Sequence, residues 1–177
     1  MSQELAIRTE RGAHLTPPSL KPALNSMLSL GKKNRVTDEF DGVEENLLWV
    51  PPLVTKAQYE RVVQRYIPQH EEYLRPAEPK WVNQRVIAFL SHYFVPDIPP
   101  QAQLVALADW VRLLSPFPQW AIEAAVEEWL SRPGRQKPMP GDIIAGCRWR
   151  IGDHALNLKL LRKLAARNER ELQAVQA

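Results

Sequence analysis

The sequence predicts an all-α protein: a compact three- to four-helix domain with a long C-terminal helix and a flexible N-terminal arm. Three observations carry this. Four successive stretches between Thr55 and Trp129 repeat apolar residues at helical spacing, and each is closed by proline. Beyond Pro140 a heptad pattern runs almost to the C-terminus. No stretch alternates apolar and polar residues as a half-buried strand does. The chain has 177 residues, 45% of them hydrophobic, which is material for a real core and excludes a wholly disordered chain. Sixteen prolines against seven glycines divide it into short elements joined by stiff turns.

Residues 1–54 read as the arm. Pro17, Pro18 and Pro22 interrupt it, and Leu20, Leu24, Met27, Leu28 and Leu30 can line one short amphipathic helix. An acidic patch follows (Asp38, Glu39, Asp41, Glu44, Glu45), and then an apolar run, Leu47-Leu48-Trp49-Val50-Pro51-Pro52. Leu47 and Trp49 are candidate partner-binding residues of a docking motif that orders on a partner. The alternative is that they staple the arm to the domain.

Residues 55–78 read as a helix and a linker. Thr55-Lys56-Ala57-Gln58 has capping-box spacing, Tyr59, Val62, Val63 and Tyr66 form a stripe, Pro68 ends the helix, and His70 to Pro79 is linker. Residues 79–152 read as the helical core. Val82, Val86, Phe89, Leu90 and Tyr93 share a face; so do Leu104, Leu107, Val111 and Leu114; so do Ile122, Ala125, Val126 and Trp129. Pro140 suits a first helical position and Asp142 the positive end of the helix. The helix from Pro140 offers Ile144, Ile151, Leu158, Ala165 and Leu172 at one heptad position and Cys147, His154, Leu161, Asn168 and Val175 at the other. Gly146 and Gly152 weaken it, and Asp153 can cap a second helix. Residues 153–177, the basic C-terminal helix, outrun a small domain and are expected to pair with another chain or stay solvated.

Charge is divided along the chain. Residues 131–177 hold ten basic and four acidic groups, and residues 1–130 hold thirteen and sixteen, so a head at −3 and a tail at +6 give the overall +3. Arg148, Arg150, Lys159, Lys163 and Arg167 are the candidate nucleic-acid-binding residues. Leu158, Leu161, Arg162 and Leu172 are the candidate partner-binding residues of the same helix. An acidic head and a basic tail suggest separate surfaces for separate partners.

Several chemistries lack their motifs. The glycines form no phosphate-binding loop, which excludes a Walker-type ATPase, and His14, His70, His92 and His154 have no zinc-protease spacing. The acidic patch lacks the glycine and terminal glutamate of a calcium loop. The single cysteine, Cys147, forms no internal disulfide and reads as a small buried hydrophobe. The expectation is a non-enzyme with no cofactor and no metal. No apolar run reaches a membrane span of roughly 18 residues, and the N-terminus lacks a signal peptide, so a cytoplasmic protein is expected.

One stretch carries more than periodicity. Trp110-Val111-Arg112 lies mid-helix, a helix around Ala121-Ile122-Glu123-Ala124-Ala125 follows, then a basic turn from Arg132 to Lys137, then Pro138-Met139-Pro140-Gly141-Asp142-Ile143-Ile144-Ala145-Gly146-Cys147-Arg148. Over residues 80–151 this resembles the N-terminal helical region of phage replicative-helicase loaders of the lambda replication protein P type. The resemblance implies a DnaB-type hexameric helicase as partner, an origin-binding initiator and single-stranded DNA as further ones, and the bacterial host cytoplasm as location. It implies loading without ATP hydrolysis by the loader. Trp110, Pro138, Pro140, Gly141, Ile144 and Cys147 carry it as motif and scaffold. That type has a long C-terminal region to grip the helicase, so here the basic helix or the arm is expected to grip. Two other readings stand beside the adaptor. One is a helical nucleic-acid-binding or regulatory module that meets phosphates through the basic helix. The other is a phage inhibitor of a host machine, acting through acidic residues 38–45 as a nucleic-acid mimic.

Overall fold

The computed structural model describes residues 16–35, 42–93, 99–134 and 136–176. Asp38, Glu39 and Asp41 of the acidic patch, with His14, Pro96, Arg135 and the Val175 side chain, lie outside the described residues. The elements are α1 (Pro22–Ser29), β1 (Lys32–Arg35), β2 (Gly42–Glu45), α2 (Lys56–Arg61), a π-turn (Val62–Tyr66), α3 (Ile67–Tyr73), α4 (Pro79–Leu90), α5 (Pro100–Leu114), α6 (Gln119–Ser131) and α7 (Pro140–Gln176). The class is all-α with a long C-terminal helix, as the proline-bounded stripes predict. Among the described residues no helix is long and apolar enough to cross a membrane.

Most helices begin where the residues dictate. At α2 the Thr55 hydroxyl accepts from the Gln58 N–H and the Gln58 amide oxygen accepts from the Thr55 N–H, a complete capping box. At α7, Pro140 occupies the first position, and the Asp142 carboxylate accepts from the Met139 N–H at 2.8 Å. The predicted stop at Pro68 is a correction: the helix runs on to Tyr73. A π-turn just before Pro68, in which the Ile67 N–H reaches the Val62 carbonyl, admits a ring that a regular helix would press against the fourth carbonyl back. His70 is therefore helical and buried, not part of a linker.

Two apolar cores lie along α7. In the first, Val82, Val86 and Phe89 of α4, Trp110 and Leu114 of α5, and Ile122 and Val126 of α6 pack on Ile143 and Cys147. Leu104, expected on the inner face of α5, points outward, and Trp110 takes the inner place. Gly146 lets α6 come close, since a Cβ there would stand 3.0 Å from the Ala125 Cβ. In the second core, Leu24 and Leu28 of α1, Trp49, Val62 and Tyr66 surround Leu156, Leu160, Leu161 and Leu164 of α7.

The second core corrects three expectations. α7 is one helix of 37 residues, about 55 Å, uninterrupted at Gly152 or Asp153, and the part from Leu156 to Asn168 is packed within the chain, leaving the last two turns solvated. The described part of the arm covers this packed stretch. The heptad line through Cys147, His154, Leu161 and Asn168 does face inward. The other buried line is Ile143, Asn157 and Leu164, one residue before the expected Ile144, Leu158 and Ala165, which are half-buried. Finally, the arm contains a two-stranded antiparallel hairpin with Lys32 opposite Glu45 and Lys33 opposite Glu44. Its strands are charged, so no alternation of apolar residues announces them. Opposite charges across the pair, and contacts to α7, take the place of an apolar face.

Truncating Trp49, only 7% exposed, should destabilise the protein by about 3–5 kcal/mol, the usual loss for a large aromatic. At this chain length the melting temperature should fall by on the order of 10 °C for Trp49→Ala, whereas a free arm would leave it unchanged. Circular-dichroism melts of the two proteins decide this.

Candidate functional site

The basic side chains of α7 sit under the arm. Glu45, on β2, bridges Lys159 at 2.6 Å and Lys163 at 3.0 Å, and those two ammonium groups hold its carboxyl below the usual carboxylate range. Lys163 also lies 6.0 Å from the Trp49 ring centroid. Arg167 donates to the Pro51 carbonyl at 2.6 Å. The Asn168 carboxamide accepts from the Val54 N–H at 2.8 Å and donates to the Pro52 carbonyl at 3.1 Å and to the Leu164 carbonyl at 2.9 Å. On the other strand Lys32 meets Asp153 at 2.6 Å. The hairpin is thus read by α7 through three ion pairs, two to Glu45 and one of the opposite sense to Lys32.

This arrangement relocates most of the expected nucleic-acid contacts. Of Arg148, Arg150, Lys159, Lys163 and Arg167, four are bonded within the chain. Arg150 donates to Glu128 at 2.6 Å and to the Gly146 carbonyl. Arg148 is exposed and has no partner among the described residues. The expected partner-binding set divides as well. Leu161 is fully buried and Leu158 half-buried, so neither forms a free surface, and Arg162 is exposed but paired with Glu71 at 2.6 Å. Leu172 lies at the exposed end of the helix.

Around Trp49 the arm turns its apolar side chains both ways. The Asn46 side chain closes a turn by accepting from the Leu48 N–H, and the Trp49 N–H donates to the Asn46 carbonyl. Trp49 and Pro51 go inward. Leu47, Leu48, Val50 and Leu53 remain 83, 85, 66 and 57% exposed. Four uncovered aliphatic side chains within seven residues, on a segment anchored at both ends, form the apolar display of the arm. The segment is stapled down and open at once: Trp49 fixes it and Leu47 faces out.

Trp110, Pro138 and Cys147 are buried, Ile144 and Pro140 are half-buried, and a Cβ at Gly141 would meet nothing within 4 Å. Burial pushes the Cys147 thiol up to about 12, and its Sγ lies 3.6 Å from the Ala121 carbonyl. The thiol should stay unreactive toward Ellman's reagent until the protein unfolds. A folded-state reaction at the rate of a free thiol would contradict this packing.

Sequence reasoning missed the joint between the two cores, where His70, Tyr73, Trp120 and His154 meet. Tyr73 stacks on Trp120 with centroids 4.6 Å apart and lies 4.7 Å from His154, and the two histidines are 6.3 Å apart. The Trp120 indole N–H donates to the Tyr73 carbonyl at 2.7 Å. His70 Nδ1 donates to the Tyr66 carbonyl at 2.8 Å. His70 Nε2, His154 Nδ1 and Asn157 Oδ1 are buried without a partner among the described residues. No group of three or more His, Cys, Asp and Glu suited to a metal ion occurs among those residues. Only a structure brings these rings together, because His70 and His154 are far apart in sequence.

Burial holds both imidazoles below the ordinary 6.5, outweighing the Asp153 carboxylate, which favours the charged form; Lys32 adds to the depression. The unfolded chain therefore takes up protons first as pH falls below about 6.5, and folding stability drops with it. Urea denaturation at pH 7.5 and 5.5 should show this loss, and His70→Gln with His154→Gln should flatten it; equal stability at the two pH values would refute it.

Compared with known proteins, the chain matches no family model, no characterised protein and no solved structure.

Proposed function

We propose that the chain is an adaptor that acts by binding, and that its partner is a DnaB-type hexameric helicase whose loading onto single-stranded DNA at an origin it promotes or withholds. The observation that carries a binding role is the display of Leu47, Leu48, Val50 and Leu53 on a segment fixed by Trp49, Pro51 and the Asn168 carboxamide. Exposed aliphatic side chains on an already ordered backbone dock with less loss of conformational entropy than the same residues in a free tail. The choice of partner rests on the resemblance of residues 80–151 to helicase loaders of the lambda P type. The reading as a phosphate-binding basic helix draws less support, because Lys159, Lys163 and Arg167 are bonded within the chain.

Light scattering after gel filtration, on the chain alone and mixed with the helicase, tests this. The expected result is a complex heavier than the hexamer. Leu47→Asp with Leu48→Asp should abolish it without changing the melting temperature, since both side chains are solvated. No complex with the unaltered chain would refute the helicase as partner. A complex that survives the double substitution would refute the docking surface.

A further inference from the structure

Away from the arm, and from the cleft that Trp120 and Trp149 line beside the joint, aliphatic side chains are also uncovered on α5. We propose that the first half of α5 is an interface between two copies of this chain, paired antiparallel about a two-fold axis near Leu104 and Val105.

The helix is covered on one side only. Trp110 and Leu114 bury it against the first core, whereas Leu104 and Val105 stay 66 and 64% exposed. Gln101, Leu104, Val105 and Ala108, at i, i+3, i+4 and i+7, form a separate stripe that is exposed along its whole length. A helix segment apolar on nearly every side is ordinarily buried, and nothing among the described residues covers this one.

Charge points to a second copy as the cover. Pro99 to Ala108 holds no Asp, Glu, Lys or Arg, in a chain that is 24% charged. A two-fold contact sets one patch against the same patch, so a charge near the axis would meet its own copy, and here there is none to repel. The stripe's polar member, Gln101, carries a carboxamide, which both donates and accepts. With the axis between Leu104 and Val105, Leu104 of one copy faces Val105 of the other, and the small Ala108 faces the longer Gln101. Asp109 then lies about 7 Å from the axis, level with Pro100 at the start of the other copy's α5. That helix start has no side-chain cap and no acidic residue in its first turn, so an incoming carboxylate meets uncompensated positive dipole. Arg112, which pairs with Asp109 at 3.1 Å, falls beyond the other copy's helix start and stays behind the carboxylate. One helical stripe is smaller than the roughly 800 Å² a side of a standard interface, so the dimer should be reversible and form at tens of micromolar. The face is remote in sequence from Leu47 to Leu53, and its test needs no second protein, so it stands or falls separately from the helicase reading.

Sedimentation equilibrium of the full chain, from about 5 to 500 µM, reads the association. The mass should rise with concentration from 20.3 kDa toward twice that value and stop there. Leu104→Glu and Val105→Lys should each weaken association at least about tenfold, as charges buried without a partner do, while the circular-dichroism melting temperature of these solvated sites stays unchanged. Mixing the two substituted chains should restore a dimer, because in the antiparallel register the two altered positions face each other. Asp109→Asn should weaken association at least about twofold. A mass that stays at one chain up to the highest concentration overturns the proposal. So does a mass that grows past the dimer, association undiminished by Leu104→Glu, or a mixture of the two variants that remains monomeric.

Discussion

The packing of Trp49 and its neighbours onto the C-terminal half of α7 is the interaction on which the rest of the molecule depends. A helix of about 55 Å carries its apolar stripe well past the end of α4, α5 and α6. Leu156, Leu160, Leu161 and Leu164 would otherwise face water, where each exposed side chain forgoes about 1.5–3 kcal/mol of burial. The chain covers them with its own N-terminal segment. Gly31 shows how closely: a Cβ there would lie 2.9 Å from Leu160 and 3.0 Å from Trp49. A side chain at that position would have to displace Leu160 or the Trp49 ring.

The divided charge has its explanation in the same contact. The acidic head and basic tail are, in part, the two sides of one interface, with Glu45 between Lys159 and Lys163 and Lys32 against Asp153. Partly exposed ion pairs contribute about 0–1 kcal/mol each, well below the apolar burial, so they do not hold the arm down. They set where it lies. Lys32 and Glu45 face each other across the hairpin, while Asp153 and Lys159 follow one another along α7, so exchanging the two strands over the helix would put Lys32 toward Lys159 and Glu45 toward Asp153. Asn168 adds direction, since its carboxamide oxygen and nitrogen each engage the arm's backbone. A polar residue on a heptad line fixes register here within one chain, where a coiled coil would use it between two.

How much of this was legible follows from the range of the interactions. The helical class, the α2 capping box, the start of α7 at Pro140 and the inward faces of α4 and α6 depend on neighbours within a few turns, and periodicity reports those. The line through Cys147, Leu161 and Asn168 was legible for the same reason. Its companion was misplaced by one residue because α7 serves two cores, which lie at different angles around it and widen the stripe to include Leu156 and Leu160. The hairpin was invisible because its strands are stabilised by charge across the pair and by α7, more than a hundred residues away. Of the candidate site, Leu47 and Trp49 were legible as an apolar run, but only the fold shows that one anchors the segment and the other is displayed. The π-turn before Pro68 hid His70, and with it the joint.

That joint explains why a cleft exists where it does. α7 leaves the first core near Cys147 and enters the second near Leu156, and between them it presents Trp149, Arg150, Gly152, Asp153 and His154, which neither apolar core can absorb. Tyr73 and Trp120 bridge the gap from α3 and α6, and the Ala77 N–H reaches the Phe117 carbonyl beside them. The bridge is aromatic and polar because it must pack side chains while accommodating a histidine pair and an arginine. Filling it with aliphatic residues would fuse the two cores more firmly and close the surface. Leaving Gly42, Ala124 and Gly152 small does the opposite and keeps the surface open between the two cores.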